Sequence, residues 1–262
     1  MWRSNGERQF DRLDDLPVQH GEATMTLQPE CLYSLTTTDG QSKGLTSPPL
    51  SMGFPMPYSD DFDGYDAGRM PRYFSDQGGI FEIAAPGDRP GKVLRQHIAK
   101  KGIEWALHPT PEPFTVLGDA AWTNYNISVD VRIEQRGYAA IYGRIGKCPQ
   151  SAAPPEGYCF KVHDDGTWQL CNGAMEIASG KIPFHADKWH TVAMQFAGTT
   201  ISLRADGREV NTVQDATRAT GYAGLGTGWN CAEFDNFAIG PAAPGASGTL
   251  RNSQSSSLPG SS

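Results

Sequence analysis

Two acidic stretches lie far apart in the chain. Tyr58-Ser59-Asp60-Asp61-Phe62-Asp63 sets carboxylates beside an aromatic in a strand-like run. Phe234-Asp235-Asn236-Phe237 does the same at the end of 222–240, which reads as a closing strand. If the two stretches pair, Asp61, Asp63 and Asp235 come together. Carboxylate oxygens gathered in this way suit a hard cation such as calcium, which binds through several oxygen ligands. From spacing alone, solvated turn acids are the simpler reading of the same residues.

Other residues could do chemistry of a different kind. Trp105 stands in Ile103-Glu104-Trp105-Ala106-Leu107. An indole face suits the apolar C–H face of a sugar, but the local pattern reads first as a core Trp in a strand. Trp229 follows Gly226-Thr227-Gly228, a turn that can leave its ring exposed for stacking, whereas Trp122, Trp168 and Trp189 read as core or sheet-face residues. Cys159 and Cys171 flank Asp164-Asp165-Gly166. With a three-residue loop His163 opposes Thr167, and counting back sets Cys159 opposite Cys171, within reach of a cross-strand disulfide if the protein is secreted. The other reading is two free thiols. Asn126-Ile127-Ser128 is a glycosylation sequon, which matters only in a eukaryotic secretory host. The six histidines are scattered and form no triad or metal motif, and no cysteine pair has zinc-ligand spacing.

These residues need elements to hold them. The 262 residues suffice for one large or two small domains. The 30 glycines and 19 prolines suit short strands joined by turns. Asn126 to Glu134 alternates cleanly, with Ile127, Val129, Val131 and Ile133 on one side. Further strands are expected at 93–98, 114–117, 139–145, 189–196 and 201–204, with a hairpin over 158–171 and a turn at Asp206-Gly207. Within 95–107, Lys100-Lys101-Gly102 breaks the pattern and favours two strands. No stretch keeps a helical apolar period over three turns. This is an all-β chain, read as an antiparallel β-sandwich.

The organisation reads in four parts. Residues 1–40 hold strand-like runs at 23–27 and 32–38, too few to fold alone, as the last strands of an incomplete small β-sandwich. Residues 41–57 are a Gly/Pro/Ser linker. Residues 58–240 form the main sandwich. Residues 241–262 are a disordered tail. The net charge of -7 and the lack of a Lys/Arg run argue against a nucleic-acid partner or an anionic membrane surface. No signal peptide or transmembrane segment is visible.

Trp189-His190-Thr191-Val192, Ile201-Ser202-Leu203 and Asp206-Gly207-Arg208 resemble the hairpin signature of concanavalin A/laminin-G-like sandwiches, the lectin jelly roll. A longer series resembles the C-terminal part of the galactosylceramidases (galactocerebrosidases, glycoside hydrolase family 59). It comprises 30–44, 58–66 (YSDDFDGYD), 74–83 (FSDQGGIFEI), 94–107 (LRQHIAKKGIEWAL), 117–134 and 232–240 (AEFDNFAIG), in the family's order. The match is weakest from Lys147 to Asn172. The resemblance implies the end of a small β-sandwich, a linker and a lectin domain, with the catalytic TIM barrel and its pair of glutamates outside this chain. It therefore implies a portion that is inactive alone and contributes to binding a galactosyl-sphingolipid. It also implies calcium, held by Asp61, Asp63, Asp235 and the backbone carbonyl of Lys92; the family residue at position 63 is often Asn, and Asp supplies the same oxygen. For Trp105 it implies a loop position walling the galactose pocket of the barrel. The full-length family is secreted or lysosomal. Two other classes fit the strand pattern: a free-standing carbohydrate-binding module and a laminin-G-like interaction domain.

Overall fold

The computed structural model describes residues 1–36, 52–103, 110–148 and 153–242. Most of the 41–57 linker, Trp105, and the tail from 243 onward lie outside the described residues. The chain divides into two compact units, 1–53 and 54–262, so the division falls within the stretch read as a linker. Among the described residues there is no helix, and hence none long and apolar enough to cross a membrane.

The first unit holds β1 (Trp2–Ser4), β2 (Asp11–Arg12) and β3 (Leu32–Ser34), in an antiparallel sheet of order β2-β1-β3. β3 falls in the expected run at 32–38. The run at 23–27 is not a strand; Glu22 before it makes only an isolated bridge with Gln19. Strand propensity expresses itself only against a partner, and the central place in this sheet is taken by β1, with its partners on both edges. None of residues 1–36 is buried, and Leu32 is 75% exposed. This small sheet therefore has no core of its own.

The second unit is a two-sheet sandwich. Its strands are β4 (Tyr58–Asp60), β5 (Ser75–Gly78), β6 (Phe81–Ala84), β7 (Val93–Gln96), β8 (Phe114–Leu117), β9 (Tyr125–Ile133), β10 (Tyr138–Lys147), β11 (Glu156–His163), β12 (Thr167–Asn172), β13 (Met175–Lys181), β14 (His190–Ala197), β15 (Thr200–Ala205), β16 (Arg208–Gln214), β17 (Tyr222–Thr227) and β18 (Ala232–Pro241). A seven-stranded sheet has the order β13-β12-β11-β10-β17-β8-β5. An eight-stranded sheet has the order β16-β15-β14-β9-β18-β7-β6, with β4 added beside β18. All pairings are antiparallel.

The alternation read on β9 is realised. Ile127, Val129, Val131 and Ile133 lie in the core with Phe234, Phe237, Phe160 and Leu225 from three other strands. Packing of the two inner faces removes these side chains from water and is the main stabilising contribution. Asp206 (φ 49°) and Gly207 (φ 73°) form the two-residue turn between β15 and β16, where both central residues need positive φ. The β11–β12 hairpin has the expected register, with Cys159 opposite Cys171.

Candidate functional site

β18 positions the acidic site. Along one edge it pairs with β7 through Ala232, Glu233 and Phe234. Along the same edge it then pairs with β4 through Phe237, Ala238 and Ile239. Asp235 and Asn236 fall in the gap between these two partners. On the other edge the pairing with β9 slips between Asp235 and Ala238, a β-bulge with Asn236 at φ 49°. The bulge leaves backbone and side-chain oxygens unpaired by sheet. The end of β4 leads into Asp61 and Asp63, and the start of β7 is preceded by Lys92. Three remote segments thus converge at one interruption of the sheet, and the pairing expected between the two acidic stretches is present.

Each acid is held by short-range contacts. The Asp63 N–H donates to Asp61 Oδ1 (3.1 Å), and Asp63 Oδ1 accepts the Lys92 N–H (2.7 Å). Gly91, at φ 99°, makes the second contact sterically feasible, because a Cβ there would lie 2.8 Å from Asp63 Oδ1. Asp235 Oδ1 accepts the N–H of Asn236 (2.7 Å), and Asn236 Nδ2 donates to Asp130 Oδ2 (2.8 Å). Two cationic side chains lie on this oxygen-rich set. The Arg89 guanidinium pairs with Asp235 Oδ2, and its Cζ stacks 3.7 Å above the centroid of the Trp189 ring. The Lys92 ammonium donates to the backbone carbonyls of Asp63 and Tyr65. Burial raises the pKa of Asp235, and the nearby charges of Asp130 and Asp63 add to the rise; the Asn236 N–H and Arg89 oppose it. Among the described residues, no three His, Cys, Asp or Glu side chains converge on one metal-sized point. What converges is one buried carboxylate, two exposed ones and two cations.

Asp60 organises the turn, and sequence reasoning missed it. Its Oδ2 accepts the hydroxyls of Tyr58 (2.5 Å) and Tyr65 (2.7 Å), and its Oδ1 accepts the Phe62 N–H (2.9 Å). Phe62 is fully buried at φ 60°. Its ring pins the reversal that turns Asp61 and Asp63 outward. The two tyrosines flanking the acidic run were the available signal. Arg89 was also missed, because its role depends on Asp235, 146 positions away.

The remaining candidates separate from this site. Asn126 is exposed on β9, and in the amide orientation that satisfies its neighbours Nδ2 donates to Gly240 O (2.7 Å) and Pro241 O (3.2 Å). Nδ2 is the atom a glycan would bond. Cys159 and Cys171 are buried and are free thiols rather than a disulfide. Burial pushes the Cys159 thiol up to about 12. Trp168 is a core residue, Trp122 packs partly buried at the core margin, and Trp189 lies just before β14 rather than in a strand, with Arg89 stacked on its ring. Trp229 is half-buried beside a groove on the opposite sheet.

Residues 76–242 match the family described as galactocerebrosidase, C-terminal lectin domain. The chain belongs to this family. The galactocerebrosidase of Canis lupus familiaris is 31% identical over 244 residues, which are 88% of this chain and 36% of the dog protein. That of Homo sapiens is 30% identical over 244 residues, with the same coverage, 88% and 36%. The chain thus spans about a third of the length of these curated relatives. Among solved structures, one titled as a native glycosidic hydrolase superposes with a TM-score of 0.50 at 12% identity, covering 74% of this chain and 100% of that one. This likeness concerns the jelly-roll fold alone. Within the galactocerebrosidase lectin-domain match lie Lys92, Trp105, Asn126, Cys159, Cys171 and Asp235; Asp61 and Asp63 precede it.

Proposed function

We propose that this galactocerebrosidase lectin domain serves a galactosyl-sphingolipid glycosidase as a substrate-binding part, the bond cleavage belonging to a TIM barrel. The lectin-domain match over 76–242 carries this reading. Trp105 is the residue offered to the galactose, its indole face covering the C–H face of the sugar. A free-standing carbohydrate-binding module has no observation in its favour beyond the sandwich itself. The test joins this chain to a galactocerebrosidase barrel and measures turnover of galactosylceramide. Trp105→Ala is expected to lower kcat/KM at least tenfold with the circular dichroism unchanged. Unaltered kcat/KM would remove Trp105 from the pocket.

The acidic site is read as a calcium clasp tying the first strand of the sandwich to the last. Asp61, Asp63, Asp235 and the backbone carbonyl of Lys92 are the residues that would hold the ion, an all-oxygen donor set of the type calcium prefers. The positions of Arg89 and Lys92 support this reading, since both bring cationic charge to oxygens at this junction. Bound calcium would supply that charge as a structural cross-link. Calorimetric titration of the chain with calcium is expected to show saturable heat and a raised Tm, both lost in Asp235→Asn. No heat and no stabilisation would sink the clasp.

A further inference from the structure

The outer face of the seven-stranded sheet is not the polar face that an exposed sheet normally presents. Alternation sends Tyr138, Ala140 and Tyr142 of β10, Cys159 of β11 and Phe114 of β8 away from the main core. All are nevertheless buried, in a second apolar cluster of their own. Gly226 on β17 is what lets this cluster form: a Cβ there would lie 2.6 Å from the Tyr142 ring and 3.2 Å from Phe114 Cβ. The Tyr142 ring thus sits against Gly226. The cluster opens into a groove of about 440 Å³, lined by Tyr142, Trp229, Glu112, Lys161 and Cys171, with Lys101 at its rim.

The polar groups of the groove are already positioned. Tyr138 Oη donates to Glu112 Oε2 (2.5 Å). Lys161 Nζ lies 3.8 Å from the same oxygen and 4.5 Å from the Tyr138 ring centroid. Glu112 Oε1 has no protein partner among the described residues, and the Trp229 indole N–H has none either. An aromatic face, a free carboxylate acceptor, an ammonium donor and an indole donor are therefore present in one groove. Its size lies within the usual range for small-ligand sites.

We infer that this groove is a saccharide site, separate from the calcium clasp. A pyranose has one flat C–H face and a rim of hydroxyls that both donate and accept. Trp229 suits the face, Glu112 Oε1 accepts from a hydroxyl, and Lys161 donates to its neighbour. Glu112 and Lys161 neutralise each other, which favours an uncharged sugar over an anion. The inference needs no barrel, so it stands or falls independently of the function proposed above.

The test uses the full chain with 15N-labelled tryptophan, titrated with methyl β-galactoside, methyl β-glucoside, methyl N-acetyl-β-glucosaminide and, separately, sodium sulfate. Of the six Trp side chains, one indole signal is assigned to Trp229 by its loss in Trp229→Phe. That signal is expected to shift saturably with at least one glycoside, with millimolar affinity, which corresponds to about −4 kcal/mol. Glu112→Gln is expected to weaken the binding at least fivefold with unchanged circular dichroism, which guards against a Trp229 variant that fails to fold. No shift with any glycoside, a shift indifferent to Glu112→Gln, or an equal shift with sulfate alone would overturn the inference.

Discussion

On the eight-stranded sheet the side chains pointing away from the core include Arg95, Asp130, Arg132 and Glu233. On the seven-stranded sheet the corresponding outward positions hold Phe114, Tyr138, Ala140, Tyr142 and Cys159. Both outer faces are partly covered, but by different physics. In the first, Glu233 is only 1% exposed, and Arg132 satisfies it through Nε (2.8 Å) and a second guanidinium nitrogen (2.7 Å). Arg95 Nε donates to Glu134 (2.7 Å). In the second, apolar surface is buried on apolar surface and the polar groups are confined to the groove mouth. Where charges pair in this way, as among Arg95, Arg132, Glu134 and Glu233, the face satisfies itself. A face built from aromatics over a glycine leaves apolar surface open at one end, which is where a ligand gains by displacing water.

The inner faces are the common base of the two sheets, so disrupting either should have the largest effect. Phe160→Ala on one side and Phe234→Ala on the other should each cost about 3–5 kcal/mol in urea unfolding. Both rings are almost fully buried. A cost near zero at one of them would show that its sheet does not depend on the shared core.

Next comes the charged face. Arg132→Ala strands the Glu233 carboxylate, and loss of one partner of a buried pair costs about 3 kcal/mol. Burial already raises the pKa of Glu233, with Arg132 opposing the rise. Folded Glu233 therefore binds its proton more tightly than the unfolded chain does. Its contribution to stability falls as pH rises out of the ordinary carboxylate range. Removing Arg132 widens that window, so the variant should lose more stability relative to the parent at pH 7 than at pH 4.5. A pH-independent difference would mean the pair is solvated rather than buried.

How far these features could be read from sequence follows the same division. β9 was legible because its inner face is apolar and its outer face polar, so Ile127 to Ile133 show a period of two. β10 was legible only as a strand. Tyr138 to Ile145 is buried on both faces, the alternation disappears, and nothing marks which residues line an outer groove. The meeting of 58–63 with 234–237 was readable from similar local character. Arg89 at that junction was not, because it stands 146 positions from Asp235 and has no motif of its own. In the first unit, Ala23–Leu27 carried the stronger strand propensity, yet Trp2–Ser4 became the strand; the choice was made by partners that propensity does not report.

A smaller effect separates the two outer faces directly. Gly226→Ala places a methyl group into Tyr142 and should cost about 1–3 kcal/mol through overpacking. Arg204→Ala, at an exposed position of β15 in the charged sheet, should stay within about 0.5 kcal/mol of the parent. Equal effects would mean that the apolar face is as yielding as the solvated one.

The smallest effect concerns two thiols of the apolar cluster, of which Cys171 lines the groove. Cys159 and Cys171 stand opposite each other but are not bonded. Burial raises both pKa values, Cys159 to about 12, so neither presents a thiolate at neutral pH. With a thiol-specific reagent at pH 7, the partly exposed Cys31 and Cys148 should react first, and Cys159, Cys171 and Cys231 only as the protein unfolds. In denaturant all five cysteines should then be counted. A count two short, restored by reductant, would mean that the apolar face is cross-linked where the charged face is ion-paired. Its rigidity would then owe more to a covalent bond than to packing on Gly226, and the cost of Gly226→Ala should shrink accordingly.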